Sequence, residues 1–186
     1  MAKQFPSLDS DLIAFIRRQQ IFFVGSATGE SRVNISPREI GALRILDDAT
    51  VAYLDRTGSG NETAAHMLAD GRLTIMLCAF DGPPRILRLY GRGRSIGWDT
   101  REFADLIDAE FEGTAPLGTR QIVCLHIDLV QTSCGYGVPL FDYKADREAI
   151  DNWHIAKGPE GIKQYWDDQN RTSIDDLPTG LTVPGD

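Results

Sequence analysis

The sequence predicts a mostly β protein, an antiparallel barrel of about six or seven strands with accessory helices. Three observations predict it. Short apolar runs rich in β-branched and aromatic residues recur along the chain. Tight turns of Gly, Asp and Pro join most of them. Helical periodicity is confined to a few segments. At 186 residues, 42% of them hydrophobic, the chain is long enough for one domain with a sizeable core.

Residues 10–19 carry Leu12, Ile13, Phe15 and Ile16 on one side of a helix, with Asp9 or Ser10 as its cap. "IFFVGSA" then reads as a buried strand, "TGE" as a turn and "SRVNISP" as the returning strand. "ALRILDD" and "TVAYLD" form a second strand pair around Asp47 and Asp48. A glycine loop, "TGSGN", leads into a short helix from Glu62 to Ala69, with Asn61 as its natural N-cap and Gly71 as its stop. "RLTIMLCAF" is a buried strand, "DGPP" a turn, and "RILRLYGRGR" a strand with Leu87 and Leu89 on one face and Ile86, Arg88, Tyr90 and Arg92 on the other. A helix capped by Asp99 or Thr100 runs to about Phe111. "QIVCLHIDLVQTS" is a long strand with Val123, Leu125, Ile127 and Leu129 on one face. The last fifty residues hold two helical pieces, "DREAIDNWHIAKG" and "EGIKQYWDDQN", and the tail "SIDDLPTGLTVPGD".

The formal net charge of -8 argues against non-specific nucleic-acid binding, which needs a basic surface. No run approaches the ~18 apolar residues of a membrane span. The opening "MAKQFPSLDSD" has no apolar signal core, so a cytoplasmic location is expected. Cys78, Cys124 and Cys134 stand at no metal-ligand spacing, nor do His66, His126 and His154, and no metal site is expected. Cys78 and Cys124 sit in apolar strands and read as buried reduced thiols. Nothing adjacent in sequence lowers the pKa of Cys134. His66 reads as a surface or interface residue, and Trp98, Trp153 and Trp166 as core or interface anchors.

A strand, a glycine loop and a helix start present backbone N–H groups outward, which is how proteins cradle phosphates. Three readings of Arg56 to Thr63 stand open. In the first, Gly58-Ser59-Gly60 begins a dinucleotide fingerprint, with Asp81 as the ribose-binding acid. Thr63 stands where the third glycine belongs, and only one strand–helix–strand unit is present. In the second, the glycines only allow a tight turn.

The third reading comes from family resemblance. The segments "SRVNISP", "YLDRTGSGNETAAHM", "GRLTIMLCAF" and "RILRLYGRGR", in that order, resemble the pyridoxamine 5'-phosphate oxidase-related family, the FMN-binding split barrels. The match resumes at "QIVCLHIDLVQTSCGYGVPLF". The resemblance implies a split-barrel domain over residues 1–140, with residues 141–186 as a helical extension on the same domain or on the dimer partner. It implies a homodimer with two FMN sites at the subunit interface and an oxidoreductase that transfers hydride at the flavin to or from an unknown small molecule. A flavin, deazaflavin or heme binding protein without turnover is the alternative. Along the flavin ring the resemblance places Val33, Asn34, Ile35 and Ser36. At the phosphate it places Arg56, Gly58, Ser59, Gly60, Asn61 and Thr63. It also puts Arg88 on the strand completing the pocket.

The chemistry suits those residue types. A flavin phosphate carries close to two negative charges and needs N–H donors, hydroxyls and preferably an arginine. The helix start adds its positive end. The sequence also departs from the true oxidases. Their Arg-Lys pair in the phosphate segment is replaced by Glu62-Thr63, and their later glutamine by Ile86. A Glu62 facing the phosphate would oppose binding. The C-terminal substrate signature of the true oxidases has no counterpart, so oxidation of pyridoxamine phosphate is not expected.

Overall fold

The computed structural model describes residues 2–183. The elements are β1 (Lys3–Phe5), α1 (Ser10–Arg18), β2 (Ile21–Ser26), β3 (Asn34–Glu39), β4 (Leu43–Ile45), β5 (Thr50–Arg56), α2 (Glu62–Ala69), β6 (Arg72–Cys78), β7 (Ile86–Gly97), α3 (Arg101–Glu110), β8 (Thr119–Ser133) and α4 (Ala149–Gln169). Seven strands form one curled antiparallel sheet in the order β3-β2-β6-β7-β8-β5-β4, and the short β1 adds to β8. β5 and β6 flank the glycine loop and α2 but are not neighbours in the sheet, so no parallel strand–helix–strand unit exists there.

β3 and β4 end the sheet and are joined by a 3-10 turn, Ile40–Ala42. They do not pair with each other, which leaves a seam in the barrel. A side-chain pair, Arg38 of β3 to Asp55 of β5 at 2.7 Å, crosses that seam. The split is therefore bridged by charge and not by a backbone ladder.

Alternation along the strands fills the interior. Phe22, Val24, Ile75, Leu77, Leu87, Leu89 and Leu125 are fully buried, and Leu12, Phe15 and Ile16 of α1 pack onto the same core. Each such side chain contributes about 1.5–3 kcal/mol. Asp9 caps α1 by accepting from Leu12 N at 2.8 Å, and Thr100 caps α3 by accepting from Phe103 N.

One strand is added that the sequence did not announce, and three expectations are corrected. The polar β1 carries no alternation signal, and its pairing with β8 creates it. In β8 the inward face passes from Ile127 to Val130 and not to Leu129. The register slips there: Tyr90 faces Leu129 while Gly91 faces Ile127, so Asp128 is the extra residue of a bulge. Asn61 makes no side-chain cap for α2. Cys134 is exposed, and a hydrogen bond from the Tyr136 backbone holds its thiol below the usual range. Cys78 and Cys124 are buried, and burial pushes both thiols up.

The two helical pieces of the C-terminal region run together as α4 but break at Gly158, φ 66° and ψ 170°, with Pro159 next. Proline suits the first turn of the second piece, where its missing N–H costs nothing. Ile162, Trp166, Leu181 and Val183 form a small second cluster against which Trp98 packs. The last three residues of the predicted tail lie outside the described residues. No helix among the described residues is long and apolar enough to cross a membrane.

The bulge makes Gly91 irreplaceable. A Cβ there would stand 1.9 Å from the His126 carbonyl oxygen, a backbone atom that cannot step aside. Gly91→Ala is expected to cost about 2–3 kcal/mol, read by urea denaturation.

Candidate functional site

The site begins where β5 meets its bulge between Asp55 and Arg56. Asp55 is 2% exposed and Arg120 of β8 is 1% exposed. Arg120 Nε donates to Asp55 Oδ2 at 2.8 Å, and Gln121 Nε2 donates to the same oxygen at 2.7 Å. Arg38 approaches the other carboxylate oxygen. Burial alone would raise the Asp55 carboxyl, but Arg120, Arg38 and the Gln121 hydrogen bond outweigh it and hold the group below the ordinary carboxylate range.

The remaining Arg120 donors shape the glycine loop. One reaches Gly60 O at 2.8 Å and another Asn170 Oδ1 at 2.8 Å. Asn170 Nδ2 returns to Gly58 O at 3.2 Å. Asn61 Oδ1 accepts from Gln121 at 2.9 Å, which is why its side chain does not cap α2. At the loop's start, Thr57 N and Oγ1 both donate to Gly118 O at 2.7 Å. Trp166 Nε1 donates to Thr57 Oγ1 at 2.6 Å, docking α4 on the loop.

These contacts frame a cleft of about 690 Å³. One wall is β3, from Asn34 to Arg38; the floor is the loop and the start of α2, from Gly58 to Thr63; the far wall is the C-terminal segment from Asp167 to Ile174. Asn34 Nδ2 donates to Thr63 Oγ1 at 3.1 Å, and Ser36 Oγ donates to Asn34 Oδ1 at 3.3 Å. A Cβ placed on Gly58 would meet nothing within 4 Å, so the backbone at Gly58 lies open, whereas one on Gly60 would stand 2.9 Å from Glu62 Oε1. Four carboxylates line it, and each has a partner in the protein. Asp55 has its arginines, Asp167 has Arg171, Asp168 accepts from Gln164, and Glu62 accepts from Ile174 N.

Seven of the eleven sequence-predicted residues meet here: Asn34, Ser36, Gly58, Ser59, Gly60, Asn61 and Thr63. Four do not. Val33 and Ile35 point to the other face of the edge strand, 71% and 68% exposed, as the strand period requires. Arg88 bonds Ser133 Oγ at 3.0 Å, away from the cleft. Arg56 turns from the cleft to the C-terminal helix, pairing with Asp151 and reaching His154 Nδ1 at 3.1 Å. The backbone at Gly58 remains open, but the arginine expected from the loop's own sequence is engaged by Asp151.

Sequence reasoning missed Arg38, Asp55, Arg120 and Asn170. An arginine and a glutamine opening an otherwise apolar strand, "RQIVCL", is the signal that marks Arg120 and Gln121. His66 is buried, with Nδ1 3.0 Å from Ser26 Oγ, and is neither a surface nor a cleft residue. Arg85, Arg92 and Arg94 are occupied by Asp11, the Asp70 carbonyl and Glu102.

His154 is fully buried; its Nε2 donates to Thr57 O at 3.1 Å, so Nδ1 accepts from Arg56. Burial and the Arg56 guanidinium depress its pKa, outweighing the Thr57 bond and Asp151. The neutral ring is the folded form. Its contribution is complete above the unfolded pKa of about 6.5 and is lost as pH falls through the lower folded value. Docking of α4, followed by the fluorescence of Trp166, is expected to loosen below about pH 6.5 and to lose that dependence in His154→Gln. Arg120→Met strands part of a buried carboxylate and is expected to cost about 3–5 kcal/mol in denaturation.

The sequence and the fold have counterparts. The family model of pyridoxamine 5'-phosphate oxidase matches residues 8–134. The pyridoxamine 5'-phosphate oxidase family protein ustO of Aspergillus flavus is 40% identical over 147 residues. That match covers 77% of this chain and 59% of ustO, so the chain spans less than two thirds of that relative. The solved structure of a histidine-to-alanine variant of HupZ from Group A Streptococcus aligns with TM-score 0.53 at 13% identity, over 67% of this chain and 98% of HupZ. A candidate pyridoxamine 5'-phosphate oxidase from Lactobacillus delbrueckii aligns with TM-score 0.51 at 13% identity, over 68% of this chain and 94% of its own. At such identities the structures share the fold alone. The match over most of the chain makes this protein a member of the pyridoxamine 5'-phosphate oxidase family.

Proposed function

We propose that the chain binds FMN in this cleft and works as an FMN-dependent oxidoreductase on a small molecule. The observation that carries the reading is the bare backbone of Gly58 at the mouth of a helix start, facing the polar edge of β3 across one cleft. Ser59, Thr63 and the Gly58–Asn61 backbone would hold the phosphate, and Asn34, Ser36 and the β3 backbone the ribityl chain and ring. The cleft volume suits a cofactor of that size. Bound flavin would supply a hydride acceptor or donor, and the protein would orient it and exclude water.

The reading includes a homodimer. The exposed Val33 and Ile35 beside edge strand β3, and the exposed Tyr136, Leu140 and Phe141 after β8, supply apolar surface for a second copy. Residues 1–140 would be the flavin unit and 141–186 its extension. Binding without turnover is the second reading. It is favoured by the lining itself, which among the described residues holds no His, Cys, Lys or Tyr and whose four carboxylates are each engaged by a protein partner. The same lining offers no His, Met, Cys or Tyr as an axial ligand, which sets heme aside in this cleft.

The test is a flavin fluorescence titration. The wild-type chain is expected to take one FMN per chain at micromolar affinity or tighter. Ser59→Ala with Thr63→Ala is expected to weaken it at least about tenfold, ~1.4 kcal/mol. Unchanged affinity in the double variant removes this loop from the phosphate site.

A further inference from the structure

Glu62 stands in the first turn of α2, beside the loop proposed to receive a phosphate. An unpaired carboxylate there would compete with an anion for the helix start. Its Oε2 instead accepts the Ile174 backbone N–H at 3.0 Å. That bond is one of several by which the C-terminal segment crosses the cleft. Asn170 is held by Arg120 and by the Gly58 carbonyl on the loop side. Ile174 follows on Glu62. Asp175 then reaches the opposite wall, where its carboxylate accepts from Arg32 N at 2.8 Å and pairs with the Arg32 side chain just before β3.

The crossing segment is braced within itself. Ser173 Oγ accepts from Asp175 N at 3.2 Å and Leu177 N at 3.1 Å. Thr179 Oγ1 donates to Asn170 O at 2.7 Å, and Thr172 bridges to Pro178. The segment is thus a preformed strap, fixed at the glycine loop, at α2 and at the β2–β3 turn. It lines the cleft beside the loop, where Asn170 bonds the Gly58 carbonyl and the Gly58 backbone is open.

We infer that the strap Asn170–Asp175, latched by Glu62 and Arg32, sets the ligand class. It closes the loop end of the cleft behind a terminal phosphate, so that the cleft takes a mononucleotide flavin and excludes a dinucleotide. The inference rests on the flavin reading above. In it Glu62 is the strap's anchor and not a phosphate contact. The Glu62-Thr63 pair and the strap are then one linked feature of this chain.

The experiment compares FMN, FAD and riboflavin binding to the full-length chain by fluorescence titration, with limited trypsin cleavage after Arg171 as a second readout. The wild type is expected to bind FMN at least about tenfold more tightly than FAD and to resist cleavage. Glu62→Ala combined with Asp175→Ala is expected to narrow the FMN-to-FAD ratio at least about tenfold and to expose Arg171 to trypsin. Arg32→Ala, at a side chain 72% exposed and outside the cleft lining, is expected to shift both readouts the same way. Glu62→Gln keeps an acceptor for Ile174 N–H and is expected to behave as wild type. If FMN binds but the ratio and the cleavage stay unchanged in the double variant, the strap is overturned while the flavin reading stands. Equal tightening of FMN by Glu62→Gln and Glu62→Ala overturns it as well, since charge alone would then govern. No binding of FMN, FAD or riboflavin by the wild type overturns the flavin reading and the selectivity with it.

Discussion

Asp55 lies between Arg38 and Arg120 at the one place where the barrel lacks a backbone ladder. A buried carboxylate is costly unless every lone pair is met. Here Arg120 and Gln121 donate to one carboxylate oxygen and Arg38 pairs by charge with the other, and Arg120 has donors to spare for Gly60 and Asn170. Closing the seam, shaping the glycine loop and seating the C-terminal segment are therefore one event. A buried charge network of this kind fixes one arrangement of β3, the loop and the C-terminal segment.

The chain is acidic, yet its candidate site is proposed for an anion. Net charge speaks to solubility and long-range steering, and contacts at the site decide local affinity. Each carboxylate lining the cleft is engaged by an arginine, an amide or a backbone N–H. The field at the glycine loop is set by those pairings and by the start of α2, and the formal total of the chain does not describe it.

The strands were legible because a half-buried sheet imposes alternation on the sequence, as in Leu87 and Leu89 against Arg88 and Tyr90. Alternation fails where backbone geometry intervenes, so Leu129 was placed inward and the bulge at Asp128 moved that role to Val130. Polar β1 had no pattern to read. At the site, Gly58 to Thr63 announced itself because glycines and a helix start are local signals. Arg56 belongs to the same stretch, but its direction was decided by Asp151 and His154, about a hundred residues on. Asn170 carries no local signal, and Arg120 is marked only as a polar start to an apolar strand; the role of each comes from partners 50 or more positions away. The resemblance carried the family and fold; the side chains that complete the cleft are this chain's own.

The wall that α4 and the segment after it supply bears on how the molecule folds. β2 with β3 and β4 with β5 join through short turns, whereas Asn170 meets Gly58 across 112 residues and Asn61 across 109. Closing a long loop is entropically expensive and comes after the local pairings that reward it sooner. The barrel can therefore gather most of its core while the cleft is still open on one side. Local opening of the site would break these long-range contacts without dismantling the barrel's strand pairings. A ligand seated there would act chiefly on that local opening, holding the C-terminal segment against a barrel that stands without it.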